Sequence, residues 1–232
     1  MPGWERRSDN GNSWLMFPAF FTAGSCALRE IRHMTTQMDH LAHDRRVRAA
    51  LPGLCLAVLT LLFGFGLGIV FGLNEDLIRD RQRAAATAVL ATAYQGDAAK
   101  AQPVLDKSWA YMQRAHLHAG GLGTSALALS GLVLLLGVSV GLTRAITLAL
   151  GLGGLGYSLF WLLAGFRAPG MGGTGAAKES LKWLAMPSSG MFVVATALVA
   201  VLCLTVLLRP RARATAAAAA AAAAAAPATS AA

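Results

Sequence analysis

LPGLCLAVLTLLFGFGLGIVFGL, residues 51–73, sets the architecture of this chain. The stretch carries no charged side chain, and about 20 consecutive apolar residues are enough for a helix to cross the hydrocarbon core of a bilayer. Its small residues recur at every fourth position, as Thr60, Gly64, Gly68 and Gly72. This spacing puts them on one helix face, where small residues let neighbouring backbones approach closely in lipid. The pattern predicts a transmembrane helix packed inside a bundle.

The composition of the whole chain is that of a membrane protein. Of its 232 residues, 56% are hydrophobic and 13% are charged, whereas about 25% of residues are charged in a typical soluble domain. Apolar stretches long enough to span a bilayer lie at about 51–73, 118–142, 145–166 and 190–208. The sequence therefore predicts an all-α fold, an integral membrane four-helix bundle formed by residues 51–208.

The connections between these stretches predict how the helices are joined. Leu142-Thr143-Arg144 is so short a link that the second and third spans should form an antiparallel hairpin. The longest connection, 77–113, begins with an alanine-rich segment and should be helical, since alanine is the strongest helix former. Gln95-Gly96-Asp97 interrupts that segment, and Pro103 suits the first turn of the next helix. We therefore expect extended helices outside the bilayer.

The two ends of the chain differ from the predicted bundle. Residues 1–50 form a polar or doubtful N-terminal extension. We expect the true start at Met34 or Met38, followed by a short polar N-terminus, 39–50, that leads into the first span. A run of arginines stops the last span, and residues 209–232 continue as an alanine-rich tail of low complexity.

The basic residues predict the topology of the chain in the membrane. The formal net charge is +9, but the bases cluster beside apolar stretches, which indicates contacts with anionic lipid and argues against nucleic acid as a partner. The bases that fall on one side of a four-span path are Arg45, Arg46, Arg48, Arg144, Arg209, Arg211 and Arg213. The positive-inside rule then predicts a multi-pass inner-membrane protein with both termini in the cytoplasm.

The histidines at the start of the second span carry the candidate chemistry. Residues 114–124 read RAHLHAGGLGT, and His116, Gly120 and Thr124 share one helix face at successive i+4 positions. A single histidine above small residues suits axial ligation of a haem, and Tyr157 and Trp161, which share a face of the third span, would border the macrocycle. The alternative is a helix-packing seam with a histidine near the lipid headgroups.

The sequence restricts the type of haem and leaves a second metal site open. The chain contains no Cys-x-x-Cys-His, so covalent c-type haem is excluded and non-covalent haem b is implied. On a helix, His116 and His118 point about 200° apart and cannot chelate one metal. If the helix begins after His118, a copper-like His-x-His site becomes possible, and His118 is the alternative metal ligand.

The region of about 51–208 resembles the styrene oxide isomerases and, more loosely, hydroxylaminobenzene mutase. The resemblance rests on short segments in a shared order and on the Gly/Pro loop before the fourth span. The segments are Thr60-Leu61-Leu62-Phe63-Gly64-Phe65-Gly66-Leu67, Arg114-Ala115-His116, Gly156-Tyr157, and Phe160 with Phe166. Styrene oxide isomerases are trimers of four-helix membrane subunits in which ferric haem b acts as a Lewis acid on an epoxide.

The resemblance implies a haem b-binding, isomerase-like enzyme with His116 as the axial ligand, a small apolar substrate and a trimeric assembly. The family places an asparagine six residues after the histidine, where this chain has Leu122, and an aspartate near Gly153. Leucine cannot hydrogen-bond a substrate oxygen, so the catalytic residues and the reaction stay open. The rival hypothesis is a non-catalytic membrane bundle without a cofactor, in which the glycines serve only packing.

Overall fold

The fold is entirely helical over the part of the chain that the structure describes. A computed structural model describes the backbone of residues 18–208 and, within that range, the side chains of residues 34, 37–38 and 40–208. The helices are α1 (Pro18–Ala88), α2 (Leu90–Ala93), α3 (Ala98–Leu136), α4 (Val140–Arg167), α5 (Thr174–Ser180) and α6 (Lys182–Leu208). No strand occurs among these residues, which confirms the predicted all-α class.

Within the part of the chain that the structure describes, four helices are long and apolar enough to cross a membrane. These segments are His40–Ala88, Ala98–Leu136, Val140–Arg167 and Lys182–Leu208. The chain divides into two compact units, Met1–Arg45 and Arg46–Ala232, and all packing described below lies in the second. The predicted starts, Met34 and Met38, are positions within α1. The remainder of the doubtful extension, 1–17, and the predicted tail, 209–232, lie outside the described residues.

Glycines of α1 bring its backbone against α3 and α4. A Cβ added to Gly64 would lie 3.0 Å from the Cβ of Ala119 in α3, and one added to Gly53 would lie 2.6 Å from the Cβ of Thr147 in α4. The predicted close packing of the first span is therefore present. It does not extend along the whole stripe, because a Cβ on Gly72 would meet nothing within 4 Å.

The predicted turn at residues 142–144 is wrong. The α3 helix ends at Leu136, and Gly137 follows in a left-handed conformation (φ 64°) that favours glycine. Ser139 then caps α4, because its hydroxyl accepts a hydrogen bond from the backbone N–H of Leu142. Arg46 on α1 donates to the Gly137 carbonyl at 2.7 Å. The hairpin of α3 and α4 thus turns about five residues earlier than expected.

The helix boundaries in the polar connections also differ from the prediction. Asp97 caps α3 by accepting a hydrogen bond from the Ala99 N–H at 2.8 Å, so α3 begins before Pro103 rather than at it. The last helix begins at Lys182 and contains Pro187, earlier than the predicted 190. The expected break at 95–97 is present, with Gln95 and Gly96 both at positive φ.

A buried tyrosine joins two of the polar connections. The hydroxyl of Tyr94, which is 2% exposed, donates to the carbonyl of Pro169 at 2.8 Å. Nearby, Gly172 (φ 69°) lies so close to Ala93 that an added Cβ would come within 2.6 Å of its side chain. Burial raises the pKa of the Tyr94 hydroxyl, because it disfavours the phenolate.

We expect Tyr94→Phe to lower the free energy of unfolding by about 0.5–1.5 kcal/mol, through loss of one buried hydrogen bond. The wild type should also lose stability as the pH rises above about 10, where the unfolded tyrosine ionises more readily than the folded one. Thermal unfolding at pH 8 and at alkaline pH measures both effects. A variant as stable as the wild type at pH 8 would contradict the role of this contact.

Candidate functional site

His116 lies in a cradle formed by two glycines of α1. Its Nδ1 is 2.7 Å from the Gly64 carbonyl oxygen, and since that oxygen can only accept, Nδ1 carries the proton and donates. A Cβ on Gly68 would lie 2.9 Å from Cε1 of the same ring. Glycine at both positions therefore leaves space for the imidazole to lie against the α1 backbone.

The second ring nitrogen of His116 has no hydrogen-bond partner among the described residues. In the described residues, the buried polar side-chain atoms without a partner are Ser130 Oγ and Trp161 Nε1. Because His116 Nε2 is not among them and the residue is half-buried, Nε2 reaches the surface of the chain. A histidine that donates from one nitrogen to a backbone carbonyl and presents the other has the orientation typical of metal ligands.

The other predicted residues on this face of α3 border open space. A Cβ on Gly120 would meet nothing within 4 Å. Thr124 is exposed, and its hydroxyl donates to the Gly120 carbonyl at 2.9 Å. A flat group bound at His116 would therefore lie along the outside of the chain, next to Gly120, and not in an enclosed pocket of a single copy.

The structure brings Tyr157 and Trp161 to His118 instead of His116. The His118 ring centroid lies 5.2 Å from that of Tyr157 and 6.0 Å from that of Trp161. The reason is the helix period: residues two apart on α3 point to different sides, so His116 lies against α1 while His118 lies against α4. The predicted set of site residues is thus divided between two faces.

Arg114 and Tyr111 belong to the aromatic cluster around His118, and neither was predicted as a site residue. Tyr111 and Trp161 pack edge to face with centroids 4.8 Å apart. The Arg114 guanidinium carbon lies 5.4 Å and 5.1 Å from these two ring centroids, and the Lys178 Nζ lies 5.9 Å from the Tyr111 ring. Such cation–π contacts stabilise the positive charges. The i, i+3, i+7 spacing of Tyr111, Arg114 and His118 could have predicted from the sequence that they share one face of α3.

The condition for a His-x-His metal site is not met. The α3 helix runs without a break from Ala98 to Leu136 and includes both histidines. Their side chains therefore point to different neighbours, and one ion cannot bind both. Within residues 34–208, as far as the side chains are described, no group of three or more His, Cys, Asp or Glu side chains is placed to hold a metal ion.

Leu122 lines a small cavity. It stands where the styrene oxide isomerases, which the sequence resembles, have an asparagine. Leu122 borders a cavity of about 170 Å³ together with Tyr157, Ser189, Phe192 and Val193. The position near the family's aspartate has no space for a side chain. A Cβ on Gly153 would lie 2.7 Å from the Ser188 carbonyl oxygen, so an aspartate there would push α6 away.

Fold and site together define an all-helical protein with four helices that are long and apolar enough to cross a membrane, and with one surface-reaching histidine set in a glycine cradle. No family model, curated protein or solved structure matches the chain.

Proposed function

We propose that this chain is a multi-pass membrane protein that binds haem b through His116. The four apolar helices support the membrane location, and the basic residues beside them support an inner-membrane protein with cytoplasmic termini. The observation that carries the cofactor proposal is the hydrogen bond from His116 Nδ1 to the Gly64 carbonyl. That bond fixes the tautomer and leaves Nε2 available for iron.

His116 and Gly120 are suited to a haem that would take one nitrogen ligand from the chain and lie with one face along α3. Gly120 would allow the ring to lie close to α3, and half-buried His116 would donate the Nε2 lone pair. Bound ferric haem supplies a Lewis acid at this position. The chain's own residues orient the imidazole, since the Gly64 carbonyl accepts from Nδ1 and Gly68 leaves space for the ring.

We propose further that the protein is a homo-oligomer, a trimer by resemblance, which acts on a small apolar molecule. The cavity beside Leu122 and Tyr157 faces α6, whereas His116 faces α1. A substrate in that cavity would therefore reach haem only if a second copy presented its own His116 site. The apolar lining of the cavity is suited to a small hydrophobic molecule.

Titration of the detergent-purified chain with haem tests the cofactor proposal. We expect a saturable Soret band, since the hydrogen bond from Nδ1 to Gly64 holds the His116 ring and leaves its Nε2 available. A linear, unsaturable increase in absorbance by a correctly folded chain would show that haem only partitions into the detergent micelle, and would sink the proposal.

Leu122→Asn should raise the rate of epoxide-to-aldehyde conversion by at least about tenfold in the haem-loaded protein. The amide would supply a hydrogen-bond donor to the substrate oxygen, and single donors of this kind contribute about 10²–10³ in established enzymes. Aldehyde formation from styrene oxide is the measurement, with Leu122→Ala as the control of similar burial. Equal rates in the two variants would contradict a substrate site beside residue 122.

A second candidate function is a packing role without a cofactor. It is favoured because Gly64 and Gly68 already have a packing role within one chain. Gly64 lies against the α3 backbone, and Gly68 lies against the His116 ring. On this hypothesis His116 is a structural histidine that ties α1 to α3. A folded chain that stays colourless when haem is supplied would favour this function.

A further inference from the structure

A second cavity lies where α1 bends. Asn74 departs from helical geometry (φ −131°, ψ 28°) in an otherwise continuous helix. Beside it, α1 and α4 line an open cavity of about 260 Å³. The apolar residues that line it are Leu67, Val70, Phe71, Leu77, Ile78, Leu162 and Phe166. On α1 the lining extends from Leu67 to Arg81, a length of roughly 20 Å at 1.5 Å per residue.

The cavity has two polar lining residues, Asn74 midway along its α1 wall and Arg81 at the end of that wall. Asn74 lies at the bend, and Arg81 lies two turns further along α1, beyond the apolar stretch. Phe166 forms the opposite wall near the end of α4, directly before Arg167. The cavity therefore has a mainly apolar lining, with an amide midway along it and a guanidinium at one end.

Arg81 differs from the two arginines beside it in sequence. Arg79 is paired with Glu75 at 2.7 Å, and Arg83 is paired with Asp80 at 3.1 Å. The Arg81 side chain forms no hydrogen bond or ion pair with any described residue, and it is exposed. Of these three arginines, Arg81 alone borders the cavity, and its charge is not neutralised within the helix.

We propose that this cavity binds an anionic phospholipid, with an acyl chain between α1 and α4 and the phosphate on Arg81. An acyl chain matches the apolar lining, and the unpaired guanidinium matches a phosphate, which arginine binds with two parallel hydrogen bonds. Val70, Leu77 and Phe166 are 45%, 54% and 44% exposed. Their exposed apolar surface would be covered by the lipid. This site is separate from the haem proposal and does not depend on it.

Lipid-dependent thermal unfolding of the full chain in detergent tests this site. We expect phosphatidylglycerol to raise the melting temperature more than phosphatidylcholine does, because only the former has a net negative headgroup. Arg81→Gln should bind phosphatidylglycerol about fivefold more weakly, the factor that corresponds to about 1 kcal/mol per basic residue at a lipid surface. Arg83→Gln is the matched control, since that arginine is already paired and does not line the cavity.

The outcomes separate lipid from other ligands. Equal stabilisation of the wild type and Arg81→Gln by phosphatidylglycerol would overturn the site, as would an equal effect of the two lipids on the wild type. A shift produced by inorganic phosphate alone would show a plain anion site and overturn the lipid assignment. The expected pattern is a phosphatidylglycerol effect that Arg83→Gln keeps and Arg81→Gln largely loses.

Discussion

Gly53→Ala should lower the free energy of unfolding by about 1–3 kcal/mol, the usual cost of an added methyl group in a packed interior. The new Cβ would collide with the backbone of Thr147 and lie 2.6 Å from its Cβ. Backbone atoms of α4 cannot rotate away as a flexible side chain can, so α1 and α4 must separate. This loss exceeds the gain of about 0.5–1 kcal/mol that alanine brings to a helix interior.

Gly66→Ala is the matched control for this prediction. Gly66 lies on the same helix, but a Cβ there would meet nothing within 4 Å. The control should therefore be unchanged or slightly stabilised. Thermal unfolding in detergent measures both variants, and equal melting temperatures for Gly53→Ala and the wild type would show that α1 does not pack on α4 at this position.

The helical architecture could be predicted because hydrophobicity and length act locally. Each apolar stretch is about as long as a bilayer requires and contains few charges, so its helical form follows from composition. The turns depend on single residues whose effects compete. Leu142-Thr143-Arg144 has polar character, but Gly137 accepts a left-handed conformation and Ser139 caps the next helix, so the chain turns there.

The partners of the site residues were harder to predict than the residues themselves. The spacing of His116, Gly120 and Thr124 correctly indicated a shared side of α3, on which Gly120 and Thr124 border open space. It did not indicate that α1 supplies the glycines that hold His116, because the sequence does not fix the rotation of one helix against another. For the same reason the sequence wrongly predicts Tyr157 and Trp161 beside His116, whereas they contact His118.

His116→Ala should abolish the Soret band of the haem-supplied, detergent-purified protein. Even residues that only orient a metal ligand change metal affinity by about 10–100-fold, so loss of the ligand itself should weaken haem binding by at least about 100-fold. His118→Ala is the control, because that ring packs on Tyr157 and Trp161 on another side of α3. It should keep the band.

Added imidazole distinguishes a lost ligand from a damaged fold. In His116→Ala, free imidazole can occupy the space between Gly64 and Gly68 and restore a nitrogen ligand, so the Soret band should return. A band that survives in His116→Ala and disappears in His118→Ala would transfer the ligand role to His118.

The haem b content of the wild-type chain, purified from the membranes of haem-supplied cells, tests the central claim most directly. His116 presents one iron-binding nitrogen per chain, so the account predicts haem b that copurifies in a fixed ratio to the chain and stays bound through further purification. A folded, membrane-extracted chain that contains no haem b would contradict it.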